Sequence, residues 1–444
     1  MNLKRLIEKY ATSGPRYTSY PTAVHFVEEV DKTALVADAL EASEEISLYV
    51  HIPYCASLCY FCACSSFMCA DPSLLDNYLD MLEIELSLWR EKGFSGKKLG
   101  QIHFGGGTPN ILSPIQIGRL GSIINKYFEI TSDCEFSVEL DPRTLNLDKI
   151  KAFVDMGINR VSFGLQDTNE DIQKAINRIQ PKEMNSFAFE SLRACGIKNI
   201  NADLVYGLPM QSVEVFAKTL DSVIELNPTR LALFNYAHVP WLKPAQKRLE
   251  KYGLPSIDEK LDCFIMAKER FEKAGYEYIG LDHFAKPDDE LILAREADCL
   301  HRNFQGYSTR AGLDSFGIGL TSISETAGTY RQNYKDMKEY KASLQAGVLP
   351  IERGVVLTKE DSLRRKMIMS IMCKLGLDSK HFLLEPNYCK YFDAVRAKLE
   401  AMQADGLLVI DGYSFALTDT GRIFMRNIAM LFDGRQMARH STTI

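Results

Sequence analysis

The sequence predicts an α/β protein: a partial, open (β/α)6-type barrel followed by a smaller, mainly helical carboxy-terminal domain. From about residue 46, short apolar, β-branched runs alternate with segments of helical periodicity. Each unusual motif follows directly after one of these runs, as expected where parallel strands end at a common rim. After about residue 325 the alternation gives way to charged, helical sequence. A doubly wound open sheet stays open as the alternative, because periodicity does not define strand order.

The runs and the segments between them define the individual elements. The predicted strands are Ile46–His51, Leu99–Phe104, Cys134–Leu140, Asn159–Gly164, Asn199–Val205, Arg230–Asn235 and Tyr276–Gly280. The predicted helices are Ser73–Lys92, Pro114–Phe128, Asp148–Met156, Lys182–Cys195, Val213–Leu226 and Ile257–Lys273. Strands that alternate with helices of this length are expected to be parallel and joined by right-handed crossovers.

We expect three consecutive segments along the chain. Residues 1–45 pack on the barrel, residues 46–325 form the barrel, and residues 326–444 form a helical, winged-helix-like domain. Such a domain is suited to close over the rim as a lid, which is a common way to exclude water.

Local signals support the helical assignment of the last segment. Tyr330–Ala346 is predicted to be a helix, and Thr358 stands where it would cap the next one. Asp411 and Gly412 lie between two short apolar runs and are typical of a hairpin turn.

Composition limits the classes of partner. The 444 residues are 46% hydrophobic, which is enough for a substantial core, and the 52 basic and 58 acidic side chains give a net charge of −6. No long run of Lys and Arg points to nucleic acid or to an anionic membrane, although winged helices often bind DNA. Neither a signal peptide nor a membrane-spanning run of roughly 18 apolar residues is found, so we expect a cytoplasmic protein. We also expect a monomer.

Five of the 11 cysteines lie close together, between residues 55 and 69. Four of them, Cys55, Cys59, Cys62 and Cys64, lie within ten residues directly after the first predicted strand. Since cytosolic thiols stay reduced, buried hydrophobes, catalytic thiols or metal ligands are expected rather than disulfides. The spacing C-x3-C-x2-C brings three sulfurs to one short loop, where they can converge on a metal centre.

Structural zinc and chance clustering are the alternatives for this loop. Structural zinc usually draws its ligands as two pairs from separate knuckles, and no second Cys/His pair with suitable spacing follows downstream. Three ligands for a cubane cluster leave one iron open to a reactive partner.

The C-x3-C-x2-C loop resembles the signature of the radical S-adenosylmethionine (SAM) superfamily. Further motifs resemble one family within it, the oxygen-independent coproporphyrinogen III oxidases: GPRYTSYPT at 14–22, YVHIP at 49–53, Cys64, DHFAKPDDEL at 282–291 and HRNFQGY at 301–307. The similarity extends from about residue 5 to 435. This chain departs from the family pattern at residues 63–65, where Ala-Cys-Ser stands in place of the usual Gly-Cys-Asn.

The resemblance implies a [4Fe-4S] cluster ligated by Cys55, Cys59 and Cys62, which form the catalytic centre, with SAM bound to the open iron. The resemblance also implies that Tyr49 and Phe61 line the space beside the cluster and that Gly106, Gly107 and Thr108 contact SAM. Glu139 and Ile323 are implied as contacts of the first SAM molecule. A second SAM molecule is implied at Phe61, Gly107, Thr108, Gln166, Arg178, Asp203 and Ala237. Independently of the resemblance, three glycines at 105–107 let the backbone approach a ligand closely.

The resemblance also implies the reaction. Two propionates of coproporphyrinogen III become vinyl groups, which gives protoporphyrinogen IX in haem biosynthesis, with electrons from a reduced donor such as flavodoxin or ferredoxin. A substrate with four carboxylates should be held by cations, for which Arg16, Arg302 and Arg310 are candidates. Tyr17 and Tyr20 are candidates to pack on the pyrrole rings.

Two related functions are the alternatives. A haem-binding radical SAM-like chaperone generally lacks the GPRYTSYP segment and carries a His-Asn-x-x-Tyr-Trp motif, whereas this chain has the segment and shows HRNFQGY in place of the motif. The third possibility is a haem-degrading radical SAM methyltransferase.

Overall fold

The alternating sequence pattern builds an open parallel sheet with helices between its strands. The structure, a computed structural model, describes residues 3–10, 12 and 14–435. It divides into two compact units. The barrel unit comprises Val27–Tyr276 and Leu313–Val355, and the helical unit comprises the described residues of Met1–Phe26, Glu277–Gly312 and Val356–Ile444.

Among the described residues, the main sheet of the barrel unit has ten strands. In chain order they are β1 Glu45–Ile52, β2 Lys98–Gly106, β3 Glu129–Leu140, β4 Arg160–Gln166, β5 Asn199–Tyr206, β6 Arg230–Asn235, β7 Asp314–Ile318, β8 Ile323–Glu325, β9 Thr329–Asn333 and β10 Ile351–Val356. Their order in space is β10-β9-β8-β7-β1-β2-β3-β4-β5-β6. From β7 through β1 to β6 all neighbours are parallel, whereas β8 pairs antiparallel with β7 and β9.

Six helices complete the six β/α units that follow from β1 to β6. They are α1 Ser73–Glu91, α2 Pro114–Tyr127, α3 Leu147–Met156, α4 Lys182–Ala194, α5 Val213–Leu226 and α6 Ile257–Lys273. The start of α2 shows why such a helix begins where it does. The Ser113 hydroxyl accepts from the Gln116 backbone N–H, and the Gln116 side-chain oxygen accepts from the Ser113 backbone N–H. The shorter helices of the unit are Lys32–Leu40, Glu170–Ala175, Lys247–Glu250 and Met337–Gln345.

The strands present alternating side chains to the interior. In β1, Leu48, Val50 and Ile52 are completely buried. Within the unit the strand order does not close on itself. The predicted fold class, a partial and open (β/α)6-type barrel with a smaller helical domain, is confirmed.

The helical unit combines helices with small antiparallel sheets. Its helices are Leu3–Tyr10, Glu290–Glu296, Lys359–Lys374, Tyr388–Ala404, Asp419–Ile423 and Met425–Met430. Its strand pairs are Glu277–Gly280 with His283–Ala285 and His301–Asn303 with Gly306–Ser308, and its three-stranded sheet contains Gly376–Leu377, Ser414–Leu417 and Leu408–Asp411. Thr358 caps its helix as predicted, by accepting from the Asp361 amide. The predicted turn forms a hairpin in which Gly412 has a φ of 60°.

One predicted element is wrong in its first half. The helix expected over Tyr330–Ala346 is replaced by β9, Thr329–Asn333, and only Met337–Gln345 is helical. The polar residues of β9 are buried, since Arg331 is 2% exposed and Asn333 is 5% exposed. Pairing with β8 therefore overrides a composition that favours helix.

The compact units do not follow the chain in sequence, because residues 313–355 return to the barrel unit after the helical unit has begun. The three consecutive segments 1–45, 46–325 and 326–444, and the role of the last as a lid, stay predictions. No described helix has both the length and the apolar character needed to span a bilayer.

Candidate active site

The cysteine loop is closed at its base by a short parallel ladder. Immediately after β1, Tyr54–Cys55 pairs with Phe67–Met68, and the Cys69 amide donates to the Cys55 carbonyl at 2.9 Å. These bonds bring the two ends of the loop together. The intervening residues, 56–66, therefore project from the end of β1 as a defined loop.

Two amide side chains from other βα loops hold the middle of the cysteine loop. Asn177, in a left-handed conformation with φ 57°, donates through Nδ2 to the Leu58 carbonyl at 2.8 Å. Gln246, which is fully buried, donates through Nε2 to the Phe61 carbonyl at 2.9 Å. Because backbone carbonyls are held on both sides of Cys59, the loop has little freedom to move its sulfurs apart.

The three predicted ligands line one pocket of about 270 Å³. Thr108 Oγ1 donates to Cys55 Sγ at 3.3 Å, and the Cys64 amide donates to Cys62 Sγ at 3.4 Å. Hydrogen bonding from Cys64, aided by the positive charge of Lys243, lowers the pKa of Cys62 to about 6 against the opposing effect of desolvation. The thiolate is the form of cysteine that binds metal, and a lowered pKa favours it.

All 11 cysteines are free thiols. Within residues 3–10, 12 and 14–435, no group of three or more His, Cys, Asp or Glu side chains is arranged to hold a single metal ion. Three thiols around an open pocket are instead the donor set of a cluster, in which each ligand sulfur binds a different iron. The donor set therefore fits a [4Fe-4S] cluster with one iron left for another ligand.

The glycines at the end of β2 approach the end of β1 and the base of the cysteine loop so closely that side chains are excluded. A Cβ on Gly107 would stand 2.7 Å from the Tyr54 carbonyl oxygen, and one on Gly106, whose φ is 116°, would meet the His51 ring at 2.7 Å. The Gly107 and Thr108 amides donate to backbone carbonyls of residues 52 and 54. The glycines are thus needed for close packing between two rim loops.

Glu139, near the end of β3, points into the same pocket. His103 Nε2 lies 3.3 Å from Glu139 Oε1, and the Gly106 amide donates to Oε2 at 3.3 Å. Partial desolvation raises the pKa of Glu139, but the hydrogen bond and charge of His103 outweigh it and lower the pKa overall. The carboxylate, whose side chain is 46% exposed, can therefore accept hydrogen bonds from a ligand in the pocket.

A buried ion cluster lies beside Cys59. Asp141 receives Arg143 Nη2 at 2.6 Å and Arg178 Nη1 at 2.9 Å. The same two guanidinium groups reach Cys59 Sγ, at 3.3 Å from Arg143 and 3.5 Å from Arg178. Burial raises the pKa of Asp141, but Arg178 and Arg143 more than compensate and lower it. The pocket wall therefore carries two cations and one anion next to the central cysteine.

Asp203 supplies a third carboxyl group to the pocket. Ser162 Oγ donates to Asp203 Oδ2 at 2.8 Å, and Asn201 Nδ2 donates to Oδ1 at 2.6 Å. Desolvation raises the pKa of Asp203 to about 6 despite these bonds. Gln166 also lines the pocket and has a φ of 66°, a conformation that costs free energy for a residue with a side chain.

The structure brings together most, but not all, of the predicted site residues. Those that line the pocket are Cys55, Cys59, Phe61, Cys62, Gly106, Gly107, Thr108, Glu139, Gln166, Arg178 and Asp203. Tyr49 lies behind the wall, stacked on His103 with ring centroids 5.9 Å apart and with its hydroxyl 3.0 Å from His51 Nδ1. Ala237 and Ile323 do not line the pocket, although the Ala237 carbonyl accepts from Gln246, which also holds the cysteine loop.

The residues suggested as substrate contacts all belong to the helical unit. Arg16 is paired with Asp282, and Arg302 is 2% exposed with its guanidinium 4.8 Å from the centre of the Tyr307 ring. Tyr17 and Tyr20 are 1% exposed, and their hydroxyls contact Asp433 and the Gly434 amide. Their role in binding substrate stays a prediction, as does that of Arg310.

Four polar residues of the site were not singled out by the sequence. Asp141 and Arg143 directly follow the end of β3, which was a usable signal because residues that follow a barrel strand lie at the catalytic rim. His103 and Ser162 carried no comparable signal. Each lies within a strand, where a polar side chain is ordinarily solvated.

The fold and the cysteine-lined pocket define the class of protein. The family model described as "Radical SAM superfamily" matches residues 49–223. A second model, described as "HemN C-terminal domain", matches residues 357–424.

Full-length relatives define the family within that class. An oxygen-independent coproporphyrinogen III oxidase from Helicobacter pylori is 43% identical over 96% of this chain and 95% of its own length. The enzyme of that name from Escherichia coli K12 is 42% identical over 98% of this chain and 96% of its own length. The solved structure of coproporphyrinogen III oxidase (HemN) from Escherichia coli, a radical SAM enzyme, has a TM-score of 0.91, covers 97% of this chain and 98% of its own, and is 39% identical. The chain therefore belongs to the oxygen-independent coproporphyrinogen III oxidases, and the chaperone and methyltransferase alternatives are not favoured.

Proposed function

We propose that this protein converts coproporphyrinogen III to protoporphyrinogen IX without oxygen, by oxidative decarboxylation of two propionates to vinyl groups in haem biosynthesis. The observation that carries the proposal is the C-x3-C-x2-C loop at the barrel rim of a chain 42–43% identical, over almost its whole length, to enzymes of that name. Each propionate loses one hydrogen atom, one electron and carbon dioxide, and no protein acid or base removes hydrogen from such a carbon.

The cofactors implied are a [4Fe-4S] cluster and SAM. Cys55, Cys59 and Cys62 would hold the cluster, which together with SAM would supply the radical chemistry needed to remove a hydrogen atom from an unactivated carbon. The chain's own residues bind and orient the reactants. Thr108 donates to the Cys55 sulfur, and the pocket's carboxylate, Glu139, is placed to accept from an ammonium or a ribose hydroxyl group.

A second SAM site in the same pocket is part of the proposal. It would use Phe61, Gln166, Arg178 and Asp203 with Gly107 and Thr108, all of which line the pocket. Ala237 would contribute from the loop that Gln246 joins to Phe61. The cation of Arg178 and the carboxyl of Asp203 have the charges that would bind a carboxylate and an ammonium group.

The remaining partners follow from the chemistry rather than from geometry. The electron that reduces the cluster would come from a reduced carrier such as flavodoxin or ferredoxin, and the electron that each propionate loses would pass to a separate acceptor. The four substrate carboxylates require cations such as Arg16, Arg302 and Arg310. We place the protein in the cytoplasm as a monomer, without a nucleic-acid or membrane partner.

The test uses anaerobically reconstituted protein with coproporphyrinogen III, SAM and a reductant. Protoporphyrinogen IX and carbon dioxide should form, and Cys59→Ala should abolish both the visible Fe–S absorbance and the product. Cys195→Ala is the matched control, because that thiol is also partly buried but lies outside the pocket. Wild-type protein that takes up a cluster and SAM but yields no carbon dioxide would refute the proposal, and tight haem binding in its place would point to the chaperone.

A further inference from the structure

Arg143 is the residue that joins the cysteine loop to the strand behind it. Its Nε and Nη2 bind both oxygens of Asp141, Nη1 donates to the Asn177 carbonyl at 3.2 Å, and Nη2 also donates to Cys59 Sγ at 3.3 Å. The side chain is only 17% exposed. A planar guanidinium with five N–H donors can bond a carboxylate, a carbonyl and a sulfur at once, whereas the single ammonium of lysine has no such fixed geometry.

We propose that Arg143 is a positioning residue that fixes the Cys59 sulfur and raises the reduction potential of the cluster which that sulfur ligates. The inference rests on the proposed function, since it requires Cys59 to be a cluster ligand. Nothing in the family motifs assigns a role to this arginine. Its neighbour Arg178 contacts the same sulfur at the longer distance of 3.5 Å and is implied in SAM binding.

The direction of the effect follows from charge. Reduction adds one electron to the cluster, so donors and positive charge near a ligand sulfur stabilise the reduced form. Arg143 and Arg178 carry two positive charges and Asp141, to which both are bonded, carries one negative charge, which leaves a net charge of about +1 beside Cys59. Removing Arg143 would leave the remaining pair neutral and would also remove the shorter of the two N–H···S bonds.

The arrangement also limits where the sulfur can lie. Arg143 contacts Asn177, and Asn177 in turn holds the Leu58 carbonyl one residue before Cys59. Asp141 is fixed from the other side by Asn110, which bonds both its amide and its carbonyl. Because the Arg143 side chain is held on both sides in this way, its N–H···S bond to Cys59 has a defined geometry before any cluster is bound.

The experiment compares wild type, Arg143→Gln and Arg143→Lys as anaerobically reconstituted holoproteins. The midpoint potential of the cluster is measured by redox titration followed by electron paramagnetic resonance, in the absence of tetrapyrrole. Both variants should keep wild-type iron and sulfide content and should have a more negative midpoint potential. Arg143→Gln should show the larger shift, because it removes the positive charge, whereas lysine keeps the charge and loses only the planar arrangement of N–H donors. Arg119→Gln is the control, since it removes an arginine paired with aspartates on the surface of the same unit.

Three outcomes would overturn the inference: a wild-type midpoint potential in both Arg143 variants, an equal shift in Arg119→Gln, or loss of the cluster from both variants while they keep the wild-type unfolding midpoint. The last would mean that Arg143 only retains the cluster. Failure of the proposed function looks different, because wild-type protein would then show no reducible cluster, or a normal cluster with no carbon dioxide released.

Discussion

Replacing Asp141 with Asn should cost far more stability than the same change at a surface ion pair. Asp141 is 6% exposed and makes three contacts of 2.6–3.1 Å with Nε and Nη2 of Arg143, together with one of 2.9 Å with Nη1 of Arg178. Breaking a buried pair by removing one partner costs about 3–5 kcal/mol, because the other charge stays buried and uncompensated. Here two guanidinium groups lose one shared anion, so the free energy of unfolding should fall by about 3–5 kcal/mol.

The matched control is Asp80→Asn on α1. Asp80 pairs with Arg119, but its side chain is 55% exposed, and exposed pairs contribute about 0–1 kcal/mol. Both substitutions remove one carboxylate bonded to an arginine of the barrel unit. The difference between them therefore isolates the effect of burial.

The assay is urea unfolding followed by tryptophan fluorescence. Both tryptophans of the chain, Trp89 and Trp241, belong to the barrel unit, so the signal reports on that unit even if the two units unfold separately. Equal m-values are needed before a difference in midpoint is converted to free energy. If Asp141→Asn and Asp80→Asn differ by less than about 1 kcal/mol, the ion cluster does not stabilise the barrel as the geometry implies.

The pH dependence supplies an independent check on the same residue. The folded-state pKa of Asp141 is lowered, so its contribution is present above the unfolded value of about 4 and is lost as the pH falls through the folded value. The stability difference between wild type and Asp141→Asn should therefore be constant near neutral pH and shrink below pH of about 4. If the stability difference between wild type and Asp141→Asn grew on acidification, the lowered folded-state pKa of Asp141 would be contradicted.

Three further substitutions test other parts of the structure. Gln246→Ala removes three hydrogen bonds, including the one to the Phe61 carbonyl, and should lower the unfolding free energy by about 2–4 kcal/mol in urea. Gln246→Glu keeps the acceptor for Val239 but turns a buried carboxylate oxygen towards the Phe61 and Ala237 carbonyls, so it should lose at least as much at neutral pH, and a smaller loss would contradict this. Gly107→Ala places a Cβ 2.7 Å from a backbone carbonyl and should prevent cluster uptake, so wild-type iron content would refute the close packing. Burial raises the pKa of Glu85 to about 7, so wild type should lose stability relative to Glu85→Gln as the pH rises from 5 to 8, and a difference that does not vary with pH would rule this out.

Much of the fold was accessible to sequence reasoning because strands and helices of a parallel barrel have simple periodicities. The strand Arg230–Asn235 and the helices Val213–Leu226 and Ile257–Lys273 were predicted with the bounds that the structure shows. Strand β9 was not, because its polar composition does not reveal that Tyr330 and Arg331 are buried. Burial of that kind depends on which strand lies alongside, and one sequence does not contain that information.

The sequence by itself determined the cysteine loop, the glycine loop and the acidic end of β3, since each combines unusual residue types at close spacing. Only the tertiary structure placed Asp141, Arg143 and Arg178 against Cys59, which is 84 residues from Arg143 and 119 from Arg178 along the chain. The physical reason is that parallel strands end at one rim, so that residues far apart in sequence meet there, while their separations and charges depend on how the rim loops pack.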